Sequence, residues 1–176
     1  CKVYGVQAQG AASMVQAVAD RKLESLEEVH TFADGIAVKS PGNLSYEMVR
    51  EYVDELVTVS DDEIAAAILT LMEKQKIVSE GAGAVSVAAV LFNKLPLKGK
   101  KVVCIISGGN IDVNILSRVI SRGLLKTGRK ASLTLSLLDK PGQLEEVSRI
   151  IAELGANVTK VDHNMNVEDS GINGCY

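Results

Sequence analysis

Lys101-Val102-Val103-Cys104-Ile105-Ile106-Ser107-Gly108-Gly109-Asn110 is the stretch on which the fold of this chain turns. The apolar run Val102–Ile106, mostly β-branched, predicts a strand buried on both faces of a parallel sheet. A hydroxyl, two glycines and an amide end the run, and a helix opens from Ile111 onward. In open α/β sheets, ligands bind beyond the carboxyl ends of strands, where this loop would lie. Paired glycines let backbone approach a flat or anionic ligand, and Ser107 offers one hydroxyl there. The residues fit either a ligand loop or a tight strand-to-helix turn, and the loop chemistry favours the ligand.

Composition bounds what surrounds this stretch. The chain has 176 residues, 47% of them apolar, which suits one medium domain or one with a small second and argues against disorder. A net charge of −3 gives no electrostatic case for nucleic acid or an anionic membrane. Aromatic content of 3%, with no Trp, leaves almost no platform for stacking bases or sugars. The cysteines are Cys1, Cys104 and Cys175, an odd set with one inside a predicted buried strand. That argues for a reducing, cytoplasmic setting rather than a disulfide framework. No run approaches a membrane span and the N-terminus has no signal-peptide pattern. A chain that opens on a strand without Met, and closes on Gly174-Cys175-Tyr176, reads as a piece of a longer protein.

Working outward, Lys2–Val6 predicts a first strand, and Ala11, Ala12, Met14, Val15 and Val18 share a following helical face. Arg21–Ser45 reads mostly as loop, then a helix over Tyr46–Tyr52 and a strand over Leu56–Val59. Ser60 and Glu63 form a capping box for a helix whose inner face is Ile64, Ala67, Ile68 and Leu71. Glu80-Gly81-Ala82-Gly83 opens a small-residue helix through Leu91. Ser86 stands where a third glycine would complete a dinucleotide fingerprint, so that reading is rejected. Glu80 at a helix N-terminus is favoured by the dipole, which by itself is only structural. Beyond the central strand, Val113, Ile115, Leu116, Val119, Ile120 and Leu124 build an amphipathic helix ending near Thr127-Gly128-Arg129.

A domain boundary is expected near residue 128, because the pattern changes there. Ala131–Leu137 alternates strictly, as a half-buried strand does. Asp139-Lys140-Pro141-Gly142 turns into a helix carrying Leu144, Val147, Ile150, Ile151 and Leu154, and Asn157–Asp162 predicts the next strand. Residues 164–173 read as a polar, turn-rich tail. Strand, helix, strand, then the start of a third strand is the opening of a ferredoxin-like α+β domain cut before its second helix.

Three stretches in order, Ala33-Asp34-Gly35, Glu80-Gly81-Ala82-Gly83 and Ser107-Gly108-Gly109-Asn110-Ile111-Asp112, resemble threonine dehydratase (threonine ammonia-lyase) and its fold-type II pyridoxal-phosphate relatives. The turn at Asp139–Gly142 and its surroundings resemble an ACT domain, a regulatory module that binds amino acids. The resemblance implies a doubly wound, tryptophan-synthase-β-like sheet over residues 1–127 and a truncated ACT domain over 128–176. It places Ser107 against the pyridine nitrogen of pyridoxal 5'-phosphate, with Gly108, Glu80 and the Gly35 backbone beside the ring. It implies loss of water and then ammonia from L-threonine, or L-serine, giving 2-oxobutanoate or pyruvate. At the ACT domain, Asp139, Gly142 and Asn157 would meet an amino-acid effector, isoleucine or valine as in isoleucine biosynthesis. Asn110 matches a position that contacts an activating nucleotide in some relatives, and exposed sheet edges favour a homo-oligomer.

Departures from the family pattern limit what this chain is expected to do. The family's Schiff-base lysine lies in a Ser-Phe-Lys motif, and a run of glycines holds the phosphate. Neither occurs here, so the chain alone is expected to be inactive, with no catalytic residue of its own. Serine-racemase relatives carry acidic metal ligands just after the first strand, where this chain has Gln7 and Ser13, so no metal is expected. His30 and His163 lack partners at ligand spacing and read as surface or satisfied histidines. Cys104 reads as packing, Asp61-Asp62-Glu63 as a helix first turn, and Arg118, Arg122, Lys126, Arg129 and Lys130 as complementing a helix end. Another fold-type II lyase or racemase acting on serine, and a non-catalytic amino-acid sensor, are the competing readings.

Overall fold

The computed structural model describes residues 1–138 and 140–163, together with the backbone of Gly174 and Cys175. The chain forms two compact units, Cys1–Ala131 and Ser132–Tyr176.

In the first unit, strand β1 (Tyr4–Ala8) leads through a 3-10 turn into helix α1 (Ser13–Asp20). A long loop holding a second 3-10 turn at Asp34–Ile36 precedes helix α2 (Asn43–Tyr52) and strand β2 (Glu55–Val59). Helix α3 (Asp61–Thr70) runs on as a π-helical turn over Leu71–Gln75, and helices α4 (Gly81–Leu91) and α5 (Val113–Lys126) follow. β1 and β2 pair in parallel with Tyr4 opposite Glu55 and Ala8 opposite Val59. The intervening helices supply the crossover that a parallel pair requires.

Helix α3 is the centre of this unit. Every residue from Glu63 to Leu69 is buried, rather than only the expected inner face. Neighbours on several sides explain this, since α3 packs against both α4 and α5. Its alanines, Ala65, Ala66 and Ala67, keep the approach close. Gly123 of α5 makes the crossing possible, because a Cβ there would stand 2.9 Å from the Ala65 carbonyl oxygen. Burial of Ile64, Ile68 and Leu71 contributes about 1.5–3 kcal/mol each. The expected capping box is present: Glu63 N–H donates to Ser60 Oγ at 3.3 Å, and Ser60 N–H to Glu63 Oε2 at 2.8 Å.

The stretch Val102–Ile106 departs from its expectation. It joins no β-ladder among the described residues, and Val103 and Ile105 are 91% and 78% exposed. One side rests on α4, where Ser86 Oγ donates to the Ile105 carbonyl at 2.8 Å and half-buried Cys104 points its thiol at the Ser86 carbonyl. Apolar residues give a segment the propensity for a doubly buried strand, but only neighbouring strands make it one. Along α5, Val113 is likewise exposed where an inward position was expected, while Val119 is buried.

In the second unit, strand β3 (Leu137–Leu138) pairs antiparallel with strand β4 (Gly174–Cys175), and helix α6 (Gln143–Glu153) lies between them in sequence. The alternating segment before β3 is strand only at Leu137–Leu138, and Asn157–Asp162 is not strand. Residues 131–136 and 157–162 are exposed and join no ladder among the described residues, which is why their patterns do not become sheet. Asp139 and the tail over residues 164–173 lie outside the described residues.

Several helix ends share one device. A left-handed residue follows α1 at Arg21 (φ 55°), the π-helical turn at Lys76 (φ 59°), α4 at Asn93 (φ 52°), α5 at Gly128 (φ 72°) and α6 at Gly155 (φ 74°).

Candidate active site

The three glycine-bearing stretches quoted from the sequence converge on the N-terminus of α4. Glu80 occupies the N-cap position, with Gly81 and Gly83 buried behind it. A Cβ on Gly81 would stand 2.9 Å from Ala33 and 3.0 Å from the Phe32 ring, so the loop at 31–36 lies against the first turn of α4. On the other side, a Cβ on Gly83 would overlap the Ser107 carbonyl. Glycine is therefore required at both positions, for contact distance rather than for dihedral freedom. A Cβ on Gly35 would stand 3.0 Å from the Ala82 methyl and 3.5 Å from Glu80 Oε1, which brings Gly35 to the same place.

Glu80 ties the 107–110 loop down. Its N–H donates to the Gly108 carbonyl at 3.3 Å, and its Oε2 accepts the Asn110 N–H at 3.2 Å. Gly108 has φ of 81°, and a Cβ on it would collide with the Glu80 carboxylate. Gly35, Glu80, Ser107, Gly108 and Asn110 thus form one cluster, with the Ser107 hydroxyl exposed and unbonded among the described residues. A flat glycine floor beside one carboxylate and one free hydroxyl suits a planar polar ring.

Two residues that build this site carry no site signal in the sequence. Asp61, the first residue of α3, holds the opposite loop: Thr31 Oγ1 donates to its Oδ1 at 2.6 Å and the Phe32 N–H to its Oδ2 at 3.2 Å. Thr31 Oγ1 in turn accepts the Ala33 N–H at 3.1 Å. Ser79, fully buried, donates to the Glu80 and Gly108 carbonyls. Asp61 reads in sequence as a dipole-complementing charge, because a partner 30 residues away leaves no local signal.

Several other polar groups have structural partners, whereas the buried hydroxyls of Ser13 and Tyr46 have none among the described residues. Burial pushes the Glu63 carboxyl up, but the Lys94 ammonium 2.8 Å away, the Ser60 N–H and the charge of Lys126 outweigh it, so its pKa lies below the ordinary value. Burial pushes the Cys104 thiol up, against the opposing contact with Ser86, which keeps it protonated. Arg122 pairs with Asp62 at 3.1 Å, Arg129 reaches both Glu73 oxygens at 2.8 Å, and Lys126 lies 5.5 Å over the Phe92 ring. His30 Nε2 stands 2.7 Å from Glu28 Oε2 on the surface. Gln7 Oε1 accepts the Val15 N–H at 2.9 Å, serving the start of α1. Among the described residues, no group of three or more His, Cys, Asp or Glu is placed to hold a metal, and no helix is long and apolar enough to cross a membrane. Gly142 and Asn157 are exposed in the second unit, with Gly142 left-handed (φ 92°) at the start of α6.

Residues 1–108 match the family described as pyridoxal-phosphate dependent enzyme. An L-threonine ammonia-lyase of Thermotoga maritima is 54% identical over 171 residues, 97% of this chain and 42% of that protein. The structure of a processed threonine deaminase isoform from Solanum lycopersicum aligns with a TM-score of 0.64 at 34% identity, covering 70% of this chain and 35% of the other. Maize serine racemase aligns with a TM-score of 0.60 at 29% identity, covering 69% and 39%. The chain spans about two fifths of the length of the curated relatives it matches. A family match over residues 1–108, more than half of the sequence, and the 54% identity to a relative across nearly the whole chain give one conclusion: the chain belongs to the pyridoxal-phosphate dependent enzyme family.

Proposed function

We propose that this chain is part of a threonine ammonia-lyase, converting L-threonine to 2-oxobutanoate and ammonia, with L-serine as an alternative substrate giving pyruvate. The observation that carries this reading is the convergence of Gly35, Glu80 and the Ser107–Asn110 loop on the first turn of α4. The residues present fit the ring end of pyridoxal phosphate: Ser107 has an exposed hydroxyl to give, and Glu80 and Gly35 lie on the same glycine-bearing cluster. When bound, that cofactor supplies an electron sink for the bond to the α-hydrogen. Ser107 would face the ring nitrogen. A neutral hydroxyl, unlike a carboxylate, does not hold that nitrogen protonated, which favours expulsion of a β-hydroxyl over transamination. Glu80 would keep the loop in place and lie beside the ring, with the Gly35 backbone on the same side.

The Ser-Phe-Lys motif and the phosphate-binding glycine run do not occur in this sequence, so the covalent anchor is assigned to a part of the enzyme outside it. The second unit is read as an ACT domain, with Asp139, Gly142 and Asn157 toward an isoleucine or valine effector and Asn110 toward a nucleotide. The enzyme is placed in the cytoplasm as a homo-oligomer, acting in isoleucine biosynthesis. A serine racemase is the second reading, supported by the likeness to the maize enzyme.

The test is to mix the 176-residue chain with pyridoxal phosphate, alone and with the separately expressed remainder of the enzyme. Visible absorbance of protein-bound cofactor and keto-acid release from threonine are expected only in the mixture. A mixture that racemises serine without releasing keto acid supports the racemase. One that binds isoleucine but no cofactor overturns the catalytic reading.

A further inference from the structure

Ser79 carries a hydroxyl that the proposed function leaves unused. It is fully buried, with 0% exposure, and sits immediately before the N-cap of α4. Its single hydroxyl hydrogen is shared between two carbonyls, that of Glu80 at 3.1 Å and that of Gly108 at 3.4 Å. The Gly108 carbonyl also receives the Glu80 N–H at 3.3 Å, so two donors from adjacent residues converge on one loop oxygen. Gly83 leaves room for this hydroxyl, since a Cβ there would stand 2.6 Å from Ser79 Oγ. Inside a dry site a polar group gains from each partner and loses when one is taken away.

We infer that Ser79 is a positioning residue for the cofactor loop, fixing the Gly108 peptide and through it the direction of the Ser107 hydroxyl one residue earlier. The inference rests on the pyridoxal-phosphate reading of the site. Gly108 is left-handed, so its peptide orientation depends on the hydrogen bonds at its carbonyl rather than on side-chain sterics. Loss of the Ser79 hydroxyl leaves the Glu80 N–H as the one remaining donor to that carbonyl among the described residues. The loop would then turn about Gly108 and carry Ser107 with it.

The experiment uses the full-length enzyme that contains this sequence. Ser79→Ala is compared with Ser86→Ala, which removes a shorter bond (2.8 Å) to the Ile105 carbonyl of the same segment but lies away from the glycine cluster. The readouts are the dissociation constant of pyridoxal phosphate, the absorbance maximum of the bound cofactor, and amide hydrogen exchange at Gly108–Asn110. Ser79→Ala is expected to weaken the cofactor roughly five-fold, shift its absorbance and speed exchange at the loop. Ser86→Ala is expected to leave all three unchanged. Equal effects from both variants, or none from Ser79→Ala, overturn the positioning role while normal cofactor binding by the unmodified enzyme keeps the functional reading intact. If the unmodified enzyme binds no pyridoxal phosphate, the functional reading and the positioning role fall together, whatever the exchange rates.

Discussion

At the scale of single residues, two positions carry the sharpest consequences. Gly83 faces the Ser107 carbonyl across a gap that a methyl group cannot enter, and the obstacle is backbone. Gly83→Ala should cost about 1–3 kcal/mol and raise the dissociation constant for pyridoxal phosphate about ten-fold, measured by titration of the full-length enzyme. Glu63 serves two masters, the Ser60 N–H through Oε2 and the Lys94 ammonium through Oε1. Its pKa is lowered in the folded state, so the stability it contributes is full above the ordinary value of 4.5 and is lost as pH falls through the folded value. The unfolding free energy of Glu63→Gln from urea titration should therefore lie about 1–2 kcal/mol below that of the unmodified chain at pH 7 and converge with it in acid. A constant difference at all pH values would show that the carboxylate charge contributes nothing.

Among elements, the first turn of α3 sorts three consecutive carboxylates into different tasks. Asp61 suspends the Thr31–Ala33 loop, Asp62 meets Arg122 in a half-exposed pair, and Glu63 closes the cap. Asp61→Ala should cost about 2 kcal/mol and loosen residues 31–35 toward protease, whereas Asp62→Ala should cost under about 1 kcal/mol. Comparable losses from the two would remove Asp61 from the site's framework. The same turn shows what sequence makes legible. Ser60 and Glu63 announce themselves by spacing, because a capping box is a local object. The Asp61–Thr31 bond joins segments that no periodicity links. Helices were readable from their apolar spacing, and the meeting of the 33–35, 80–83 and 107–110 stretches followed from resemblance rather than from any local rule. Val102–Ile106, Asn157–Asp162 and all but the last residue of Ala131–Leu137 carry strand patterns without becoming strands, for one reason. A strand is a relation between two segments, and apolar or alternating residues describe only one of them.

For the molecule as a whole, the open side of Val102–Ile106 is the largest departure from a closed fold. Val103 and Ile105 leave an apolar strip beside an unpaired backbone edge, a surface that invites association. The 176-residue chain should self-associate at micromolar concentration. Val103→Lys with Ile105→Lys should restore the monomer in sedimentation runs without lowering the thermal midpoint. Unchanged association would locate the sticky surface elsewhere. The left-handed closures of the helices lead somewhere different. Two of the five fall to glycine at Gly128 and Gly155, while Arg21, Lys76 and Asn93 hold the same geometry with a side chain attached. Each side chain there opposes the backbone by about 1 kcal/mol, least for Asn. Selection has therefore left a reserve: Arg21→Gly offers a route to a hardier protein that touches neither the Ser107–Asn110 loop nor the packing of α3, whereas Lys76 sets its strain against the bond from its ammonium to the Glu73 carbonyl at 2.7 Å.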